Sequence, residues 1–504
     1  MPLAPIDLRP GVYKNGTAYS GKSRWADSNL VRWKDGAIRV IGGWQRRENT
    51  SGVNIAALYA DPTTEAARNV ITWKDNTSVR HIVIGTNSNL YHVSVAGVVT
   101  NVTPAGFAGG DKDSGFEDGF GIAAYGVQAY GTRRTAEGLA PTPVSSWGFT
   151  LWGEDLLAQF RGDGPVYIWQ PNDVAAVALT DPPQNFEAIL VTDERILMGV
   201  GSVDPRTISW SDSEDRTDWT PAADNQAGSI RLTGSGKLTV LTQVLNQVLV
   251  LGENEAHVGR YIGPPYIYGF ERVGDICGVM SAQCLVTTDK FAMWLCGRSV
   301  WMFDGTLRKI DSAVADFLYT DLRFAEKSKT YGFSLRDWDE IWWVYQSNDS
   351  TTTEPDSYIC FDYAQNHWTK GKINRTLGAD RGATVNPIMI TPDGYIYNHE
   401  LATTSIQDGP IPYVETGPIE IGAGDTQTYI DYIYPDELVQ GDVTMTIKTQ
   451  DMPNSASMSS GPYSMANPVP VRARGRQLAL YFEGRAAGWM IGIMRANIKP
   501  GGRR

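Results

Sequence analysis

Histidine and cysteine are the residues best able to bind a metal or attack a substrate, but in this chain their spacing does not form a site. No two of the five histidines lie at the spacing of metal ligands, and the four cysteines contain no CxxC pair: His81, His92, His257, His367, His399, Cys277, Cys284, Cys296 and Cys360. We therefore expect strand or surface histidines and buried free thiols. The sequence predicts neither a metal site nor a cofactor.

The other motifs of catalysis are incomplete. The segment GSGKLT, Gly234–Thr239, lacks the earlier glycine and the hydroxyl residue after lysine that a phosphate-binding loop requires, so it indicates a turn. There is no Gly-x-Ser-x-Gly elbow for a nucleophilic serine. The acidic residues crowded between Asp212 and Asp218 are typical of a solvated turn, although a calcium site is an alternative. We predict that the protein is not an enzyme.

A turn residue followed by a short apolar run recurs along the chain. It occurs at Asn89, Asp155, Asp193, Asn246, Asp289, Asp339 and Asp393. Repeats of about 40 to 50 residues that hold a few short strands are typical of β-propeller blades, because one blade cannot bury both of its faces without neighbours. The sequence therefore predicts an all-β protein with a propeller of six or seven blades.

The chain is longer than such a propeller. It has 504 residues and is rich in Gly (52), Trp (16) and Tyr (23), as all-β proteins with many turns are. Blades of the length above account for roughly 300 to 350 residues. We expect an amino-terminal arm over residues 1–50, a propeller over 51–415 and a carboxy-terminal β-sandwich over 416–504. The arm and the sandwich are expected to form one platform domain beside the propeller.

Charge is distributed unevenly along the chain. The net charge is −12, yet residues 1–47 contain nine Lys and Arg against three Asp and Glu, and residues 471–504 contain eight against one. The part between them carries a net charge of −25. Two basic ends suggest contact with an acidic partner, whereas the acidic middle repels polyanions.

Arginines at both ends are candidates for that contact. In an extended strand, alternate residues of the segment 471–476 share one face, so we expect a partner-docking surface that includes Arg472, Arg474, Arg476, Arg24 and Arg32. A solvated edge strand is the alternative for the first three. For the amino-terminal arginines, which alternate with Trp25, Trp33 and Trp44, the alternatives are stacking on nucleic-acid bases or burial of the tryptophans in a subunit contact.

Two segments stand apart from the strand pattern. Residues 103–147 are rich in Gly and lack apolar periodicity, which suggests a long loop that projects and orders against a neighbouring subunit, or a surface excursion without order. Residues 311–322, DSAVADFLYTDL, have Ser or Asp available as a cap and apolar residues on one side, and predict a short helix.

One continuous stretch resembles a known family. Residues 200–310 contain, in order, WSDSEDRTDWTP, a Gly-rich turn, a strand ending in Gly and Glu, the turn Gly263-Pro264-Pro265, Gly278 before a small-residue strand, and a strand closing on Phe303-Asp304-Gly305. This order resembles the tail hub or nozzle proteins of short-tailed, podovirus-type bacteriophages, also called packaged-DNA stabilisation proteins. The closing strands VRARGRQLALYFEG and GWMIGIMRANI are similar in position and type.

The resemblance implies a structural virion protein. It implies a homohexameric ring below the portal and head-to-tail adaptor, with tail fibres or tailspikes and a tip or needle as further partners. Such a ring closes the tail channel, retains the packaged genome and conducts double-stranded DNA at ejection without binding it specifically. The location would be the virion tail, after assembly in the host cytoplasm; the sequence contains no secretory signal and no stretch long enough to span a membrane.

Two other classes of function stay open. A sialidase-like propeller that cleaves glycans would need arginines facing a Tyr and a Glu at the propeller axis. A receptor-binding propeller that works alone would use the many tryptophans of the chain as contact residues.

Overall fold

The computed structural model is all-β apart from a few short helices. It describes residues 3–17, 19–21, 23–116, 118–119, 134–135, 141–401, 409–420, 427–452, 455–465 and 467–500. Six strands open the chain: β1 (Ala4–Ile6), β2 (Arg9–Val12), β3 (Arg24–Asn29), β4 (Val31–Lys34), β5 (Ala37–Val40) and β6 (Gly43–Arg46).

Seven four-stranded antiparallel sheets follow in chain order. The first consists of β7 (Ala67–Lys74), β8 (Arg80–Thr86), β9 (Leu90–Val93) and β10 (Val99–Asn101). Short pairs β11 (Gly115–Phe116) with β14 (Pro141–Thr142) and β12 (Asp118–Gly119) with β13 (Arg134–Thr135) precede the second sheet. The second and third sheets consist of β15 (Trp147–Trp152), β16 (Asp155–Phe160), β17 (Val166–Trp169) and β18 (Val177–Ala178), then β19 (Ala188–Val191), β20 (Leu197–Val200), β21 (Thr207–Trp210) and β22 (Gly228–Arg231).

The later sheets repeat this plan. The fourth has β23 (Leu238–Val244), β24 (Gln247–Gly252), β25 (Glu255–Gly263) and β26 (Ile267–Asp275), and the fifth β27 (Val286–Thr287), β28 (Ala292–Cys296), β29 (Ser299–Phe303) and β30 (Leu307–Ile310). The sixth has β31 (Tyr331–Leu335), β32 (Glu340–Tyr345), β33 (Ser357–Asp362) and β34 (His367–Lys372). The seventh has β35 (Leu377–Ala379), β36 (Ile388–Ile390) and β37 (Ile396–Leu401), and takes its fourth strand, β6, from the amino-terminal arm.

The seven sheets form a closed ring. The first strand of each sheet contacts the first strand of the next, from β7 through β15, β19, β23, β27 and β31 to β35, and β35 contacts β7. A ring of four-stranded sheets with the first strands at the centre is a β-propeller, here with seven blades. Because β6 completes the last blade, strands from both ends of the repeat close the ring.

Each blade contains one of the recurring turn residues seen in the sequence. In the second to sixth blades the residue lies at the turn between the first and second strands, as at Asp193 and Asp339. In the first and seventh blades, Asn89 and Asp393 lie between the second and third strands, which explains part of the uneven spacing. Asn246 and Asp339 have φ of 59° and 57°, a left-handed conformation that Asn and Asp tolerate better than most residues.

Tryptophans fill the spaces between and within the blades. Trp294, Trp342 and Trp343 are buried in the largest apolar cluster. The indole N–H of Trp294 donates to the carbonyl of Cys277 at 2.8 Å, and that of Trp343 donates to the carbonyl of Cys284 at 2.8 Å. A buried indole therefore fixes the neighbouring backbone while it contributes apolar surface. Cys277, Cys284 and Cys360 are buried free thiols.

The carboxy-terminal strands share sheets with the amino-terminal ones. They are β38 (Tyr413–Thr416), β39 (Ile419–Glu420), β40 (Thr428–Tyr434), β41 (Thr444–Gln450), β42 (Met458–Ser464), β43 (Val469–Gly475), β44 (Gln477–Glu483), β45 (Met490–Ile491) and β46 (Met494–Pro500). One sheet has the order β1-β46-β40-β43, a second has β2-β3-β38-β44-β41-β42 with β39 on β44, and a third has β4-β5-β45. Apolar residues of the first two sheets, including Val471 and Leu480, belong to one buried cluster.

Several details differ from the sequence expectations. Strand β6 lies within the expected arm but belongs to the seventh blade, and the expected boundary at residue 415 falls inside β38. The predicted helix is confirmed as α1 (Ala315–Asp321), but its N-cap is Val314 without a side-chain cap, so the expected Ser or Asp cap is wrong. Three short 3-10 helices, Ala282–Cys284, Phe324–Lys329 and Arg336–Trp338, lie between strands.

The base of the segment 103–147 is attached to this same chain. Phe107 packs on the rings of Trp147 and Phe160 in the second blade, at centroid distances of 4.9 and 5.0 Å. The Ser114 and Ser328 hydroxyls are 2.9 Å apart, and the Val144 N–H donates to Ser328 Oγ at 3.1 Å. Twenty of the 45 residues of the predicted projecting loop, including Phe120, Tyr125 and Tyr130, lie outside the described residues.

Two histidines form a hydrogen-bonded pair in the first blade. His81 Nδ1 lies 3.1 Å from His92 Nε2, and His81 Nε2 lies 3.2 Å from Asp75 Oδ2. Trp169 lies against both rings, at centroid distances of 6.0 Å from His81 and 4.8 Å from His92. Burial, and then the neighbouring His81 ring, lower the pKa of His92 to about 4. His92 is consequently neutral in the folded protein at neutral pH.

Replacing His92 with Gln is expected to reduce the loss of stability on acidification. The unfolded chain binds a proton at His92 near pH 6.5, whereas the folded chain does so only near pH 4, so stability falls as the pH drops between these values. Thermal unfolding measured between pH 4 and 8 gives the dependence of stability on pH. Asn101→Gln on the adjacent strand is the control, and it should retain the wild-type dependence. An unchanged slope in the His92 variant would contradict the prediction.

Candidate functional site

The basic strand β43 lies at the edge of its sheet and alternates strictly in burial. Val469, Val471 and Ala473 are buried, whereas Arg472 and Arg474 are exposed. The apolar face contacts strands β41 and β42 of the facing sheet, so the arginines must point to the opposite side. Both predicted arginines are therefore held on a solvent-facing surface by the packing beneath them.

Two further cations belong to the same exposed face. Tyr429 on β40 pairs with Arg474 on one side and with Lys499 of β46 on the other, and directly opposed residues point to the same face. Arg495 lies four residues before Lys499 on the same strand and is also exposed. We call Arg472, Arg474, Arg495 and Lys499 the terminal basic face. Asp431 forms an ion pair with Lys499 and is the acidic residue beside it.

The other predicted docking residues lie in different surroundings. Arg476 follows the end of β43 and is half-buried, so it does not extend the exposed row of Arg472 and Arg474. Arg24 begins β3, and its guanidinium lies 5.0 Å from the centre of the Tyr13 ring. Neither position is part of the terminal basic face.

Arg32 does not belong to a docking surface, and the sequence expectation for this residue is wrong. The residue is 1% exposed. Its Nε and Nη2 donate to the two carboxylate oxygens of Glu340 at 2.8 and 3.0 Å, and its Nη1 and Nη2 donate to Glu400 at 2.8 and 2.7 Å. The guanidinium also lies 4.1 Å from the centre of the Trp338 ring. Burial lowers the pKa of Arg32, but Glu340 and Glu400 outweigh it and raise the pKa, so the residue stays charged.

The Arg32 network joins three parts of the chain. Arg32 lies on β4, Glu340 begins β32 in the sixth blade, and Glu400 lies on β37 in the seventh blade. Next to it, Lys34 Nζ lies 2.9 Å from Asp339 and 3.4 Å from Asp362. The basic residues of β4 thus attach the sheets built from the two ends of the chain to the propeller. Their charges are paired within the chain and are not available to an external partner.

The tryptophans of the arm are also internal. Trp25 and Trp33 are 5% and 3% exposed, and their rings lie 5.8 Å apart. Trp44 stacks on His399 at 5.2 Å. The interpretation that Trp25 and Trp33 stack on nucleic-acid bases is therefore wrong, because both rings are already packed in the core of their own chain.

A second buried network lies at the base of the segment 103–147. Glu354 accepts from Arg68 Nη1 and Nη2 at 2.6 and 2.9 Å and is 3.7 Å from Lys112 Nζ. Lys329, which is fully buried, contacts Asp113 at 2.5 Å and lies 3.9 Å from Glu354. This group joins the first blade to the sixth. No local sequence pattern predicts this group, since its members lie far apart along the chain.

The propeller axis contains a cavity of about 180 Å³. Its lining comes from the first strands of the blades and the adjoining 3-10 helix, and includes Asn69, Phe149, Ile189, Leu241, Gln283 and Tyr331. A water molecule occupies about 30 Å³ of liquid, so the cavity has room for a few waters and not for a nucleic-acid strand. The sequence predicted neither the position nor the lining of this cavity.

Within the described ranges, no three His, Cys, Asp or Glu side chains are grouped so that they could hold a metal ion. In that same part of the chain, no helix is long and apolar enough to cross a membrane.

Comparisons with known proteins found no family and only distant structural similarity. No protein-family model matches the chain, and no curated protein matches it. Among solved structures, the β-propeller domain of Cps50 (Swd1) from Myceliophteria thermophila aligns with 8% identity and a TM-score of 0.39, covering 67% of this chain and 99% of that one. The N-terminal domain of Nup159 aligns with 9% identity and a TM-score of 0.37, covering 75% of this chain and 99% of that one. The propeller is identified by the strand pairing above, and similarity at this level indicates no function.

Proposed function

We propose that this protein is a structural component of a short-tailed phage particle, the tail hub or nozzle. Six copies would form a ring below the portal and adaptor that closes the channel, retains the packaged DNA and conducts it at ejection. The observation that carries the proposal is the terminal basic face on a chain whose residues 48–470 carry a net charge of −25. The order of motifs in residues 200–310, described above, supports the same role.

The terminal basic face suits attachment to an acidic protein surface. Arg472, Arg474, Arg495 and Lys499 lie on one sheet face whose opposite side is buried, so they are presented at fixed positions. Opposite charge across an interface raises the association rate and sets orientation. We propose the adaptor above the ring as the partner of this face.

The acidic middle of the chain suits a DNA channel that does not bind its cargo. A basic wall would hold phosphates and release counterions, which slows passage, whereas an acidic wall repels DNA. The channel must lie between copies, because the cavity of about 180 Å³ on the propeller axis is too small for a duplex. A ring of propellers arranged around a wider central opening meets this requirement.

A sialidase-like enzyme is less well supported. Such a site needs several arginines at the axis, and among the described residues Arg161 is the one arginine that lines the axial cavity. We therefore propose a role without catalysis. A colorimetric glycosidase assay tests this part: turnover that one propeller substitution abolishes would overturn it.

Oligomeric state is the most direct test of the ring. The purified full chain, or a tail isolated from particles, should give a mass of six chains and a six-fold ring in negative-stain micrographs. A protein that stays monomeric or trimeric at every concentration, and also alongside the portal–adaptor complex, would contradict the hub and favour a propeller that binds a receptor alone.

Replacing Arg472 and Arg474 together by Ser is expected to weaken binding to the portal–adaptor complex about tenfold at low salt, with the fold intact. Charge pairs at an interface act over the Debye length, about 8 Å at physiological salt, so wild-type affinity should fall steeply with salt and the variant should show a shallower slope. Surface plasmon resonance at several salt concentrations measures both effects.

The control for this test is Arg298→Ser with Arg308→Ser. This double variant removes two positive charges, as the Arg472/Arg474 variant does, but from exposed positions of the fifth blade. The control should bind like the wild type. Wild-type affinity and salt slope in the Arg472/Arg474 variant would rule out docking through the terminal basic face.

A further inference from the structure

A second cavity adjoins the axial cavity at one mouth of the propeller. The mouth cavity has a volume of about 450 Å³. Arg161, Ala282 and Gln283 line both cavities, so they mark the place where the two meet. Ser114, Val144 and Ser145, from the base of the segment 103–147, line the mouth cavity on its outer side. The base of this segment therefore lies beside the inner space at this mouth.

Residues that line these two cavities carry buried polar atoms without a partner. Gln283 is only 7% exposed, and its Nε2 has no hydrogen-bond partner in the described residues. The same holds for Arg161 Nε, while Arg161 Nη1 donates to the carbonyl of Glu187 at 2.9 Å. Thr239 Oγ1, on the wall of the mouth cavity, is also buried without a partner. Leaving a buried donor unsatisfied costs about 1–3 kcal/mol, so we expect a hydrogen-bond acceptor to bind these N–H groups.

The charges nearby favour a negative acceptor. The cations lining the mouth cavity are Arg161, Lys237 and Lys327, and the acids are Glu187 and Glu253. Lys237 is paired with Glu187 at 2.8 Å, and Arg161 Nη1 donates to the backbone carbonyl of Glu187. Burial lowers the pKa of Arg161, and the charge of Glu187 offsets only part of this effect, so the guanidinium is incompletely compensated. A guanidinium and an amide N–H group that line the same two cavities are donors of the kind that bind carboxylate or phosphate oxygens. The inner volume of about 180 Å³ is below the range of cofactor-sized pockets.

We propose that the junction of the two cavities is a binding site for a small oxyanion, a carboxylate or phosphate group, held by Arg161 and Gln283. The site is independent of the tail role, since it needs only the folded propeller. Bound at the axis among the first strands of six blades, the anion would stabilise the ring of blades and rigidify the base of the segment 103–147.

Isothermal titration calorimetry of the full chain with inorganic phosphate and, separately, with citrate tests this site, in a buffer that contains no other oxyanion. We expect saturable binding of one anion per chain and a rise of several degrees in the unfolding temperature at saturation. The two probes distinguish phosphate from carboxylate as the preferred group. No saturable binding of either probe at millimolar concentrations would overturn the proposal.

Three variants identify the residues. Gln283→Leu removes the amide donor, Gln283→Glu adds a repelling charge, and Arg161→Lys retains the cation without Nε; each is expected to weaken binding at least tenfold. Gln365→Glu, an exposed position in a turn of the sixth blade, makes the same chemical change as Gln283→Glu and should bind like the wild type. If one variant fails to fold, the other two decide. Wild-type affinity in the folded variants would show that an anion binds elsewhere and would overturn this assignment.

Discussion

Replacing Arg32 with Met is expected to lower the free energy of unfolding by about 3–5 kcal/mol, the usual cost of removing one partner of a buried ion pair. Methionine fills much of the space of the arginine stem, so the main loss is charge. Glu340 and Glu400 would then lie buried and close together without their shared cation. Denaturant unfolding followed by tryptophan fluorescence measures the change in the main transition.

Two controls separate the charge effect from simple loss of an arginine. Arg308→Met removes an exposed arginine paired with Asp304 and should change stability by less than about 1 kcal/mol. Adding Glu340→Gln and Glu400→Gln to Arg32→Met should restore part of the lost stability, because the uncompensated charges disappear. A cost for Arg32→Met similar to that of Arg308→Met would contradict the network described here.

Replacing Glu354 with Gln is expected to cost about 3–5 kcal/mol for the same reason. The amide retains the size of the carboxylate but leaves Arg68 and Lys329, both buried, without this counter-charge. Burial lowers the pKa of Arg68, but Glu354 outweighs it and raises the pKa, so the guanidinium stays charged in the folded protein. Thermal and denaturant unfolding measure the effect.

The matched control is Glu271→Gln, the same chemical change at an exposed position of the fourth blade. It should alter stability by less than about 0.5 kcal/mol. Since Glu354 also lies 3.7 Å from Lys112, limited proteolysis within the segment 103–147 should become faster in the Glu354 variant than in this control. Equal stability of the two variants would contradict the structural role of Glu354.

Together the two networks explain how one propeller carries strands and segments from distant parts of the chain. The Arg32 group attaches β4 to the sixth and seventh blades, and the Glu354 group attaches the base of the segment 103–147 to the first and sixth. Ion pairs with bidentate geometry specify one arrangement, because any other would leave a charge buried without a partner.

The motifs of residues 200–310, the stretch that resembles the phage family, occupy defined positions in the fold. A Cβ added at Gly278 would lie 1.9 Å from the carbonyl oxygen of Glu253, which is backbone and cannot move aside. Gly263, Pro264 and Pro265 form the tip of the long hairpin between β25 and β26. In the folded protein, Gly278 therefore lies in close contact with the end of the strand that closes on Gly and Glu.

The sequence by itself determined the class of fold and left the number of blades at six or seven. Its seven turn residues, one in each blade, report on local structure, because Asn or Asp at a tight turn and the apolar run after it are properties of neighbouring residues. The alternation that exposes Arg472 and Arg474 was predictable for the same reason, since the period of a strand is two residues. The short helix α1 was likewise recognisable from its local pattern.

Only the tertiary structure decided which charges and aromatic rings are available to a partner. Arg32 resembles Arg472 in the sequence, a cation beside strand residues, but its acids are 308 and 368 positions away and meet it only when the ring closes. The same holds for the burial of Trp33, the seventh-blade position of β6 and the axial cavity beside Gln283, whose lining comes from several different blades. Pairing between distant segments depends on the packing of the whole ring, and local sequence patterns do not predict that pairing.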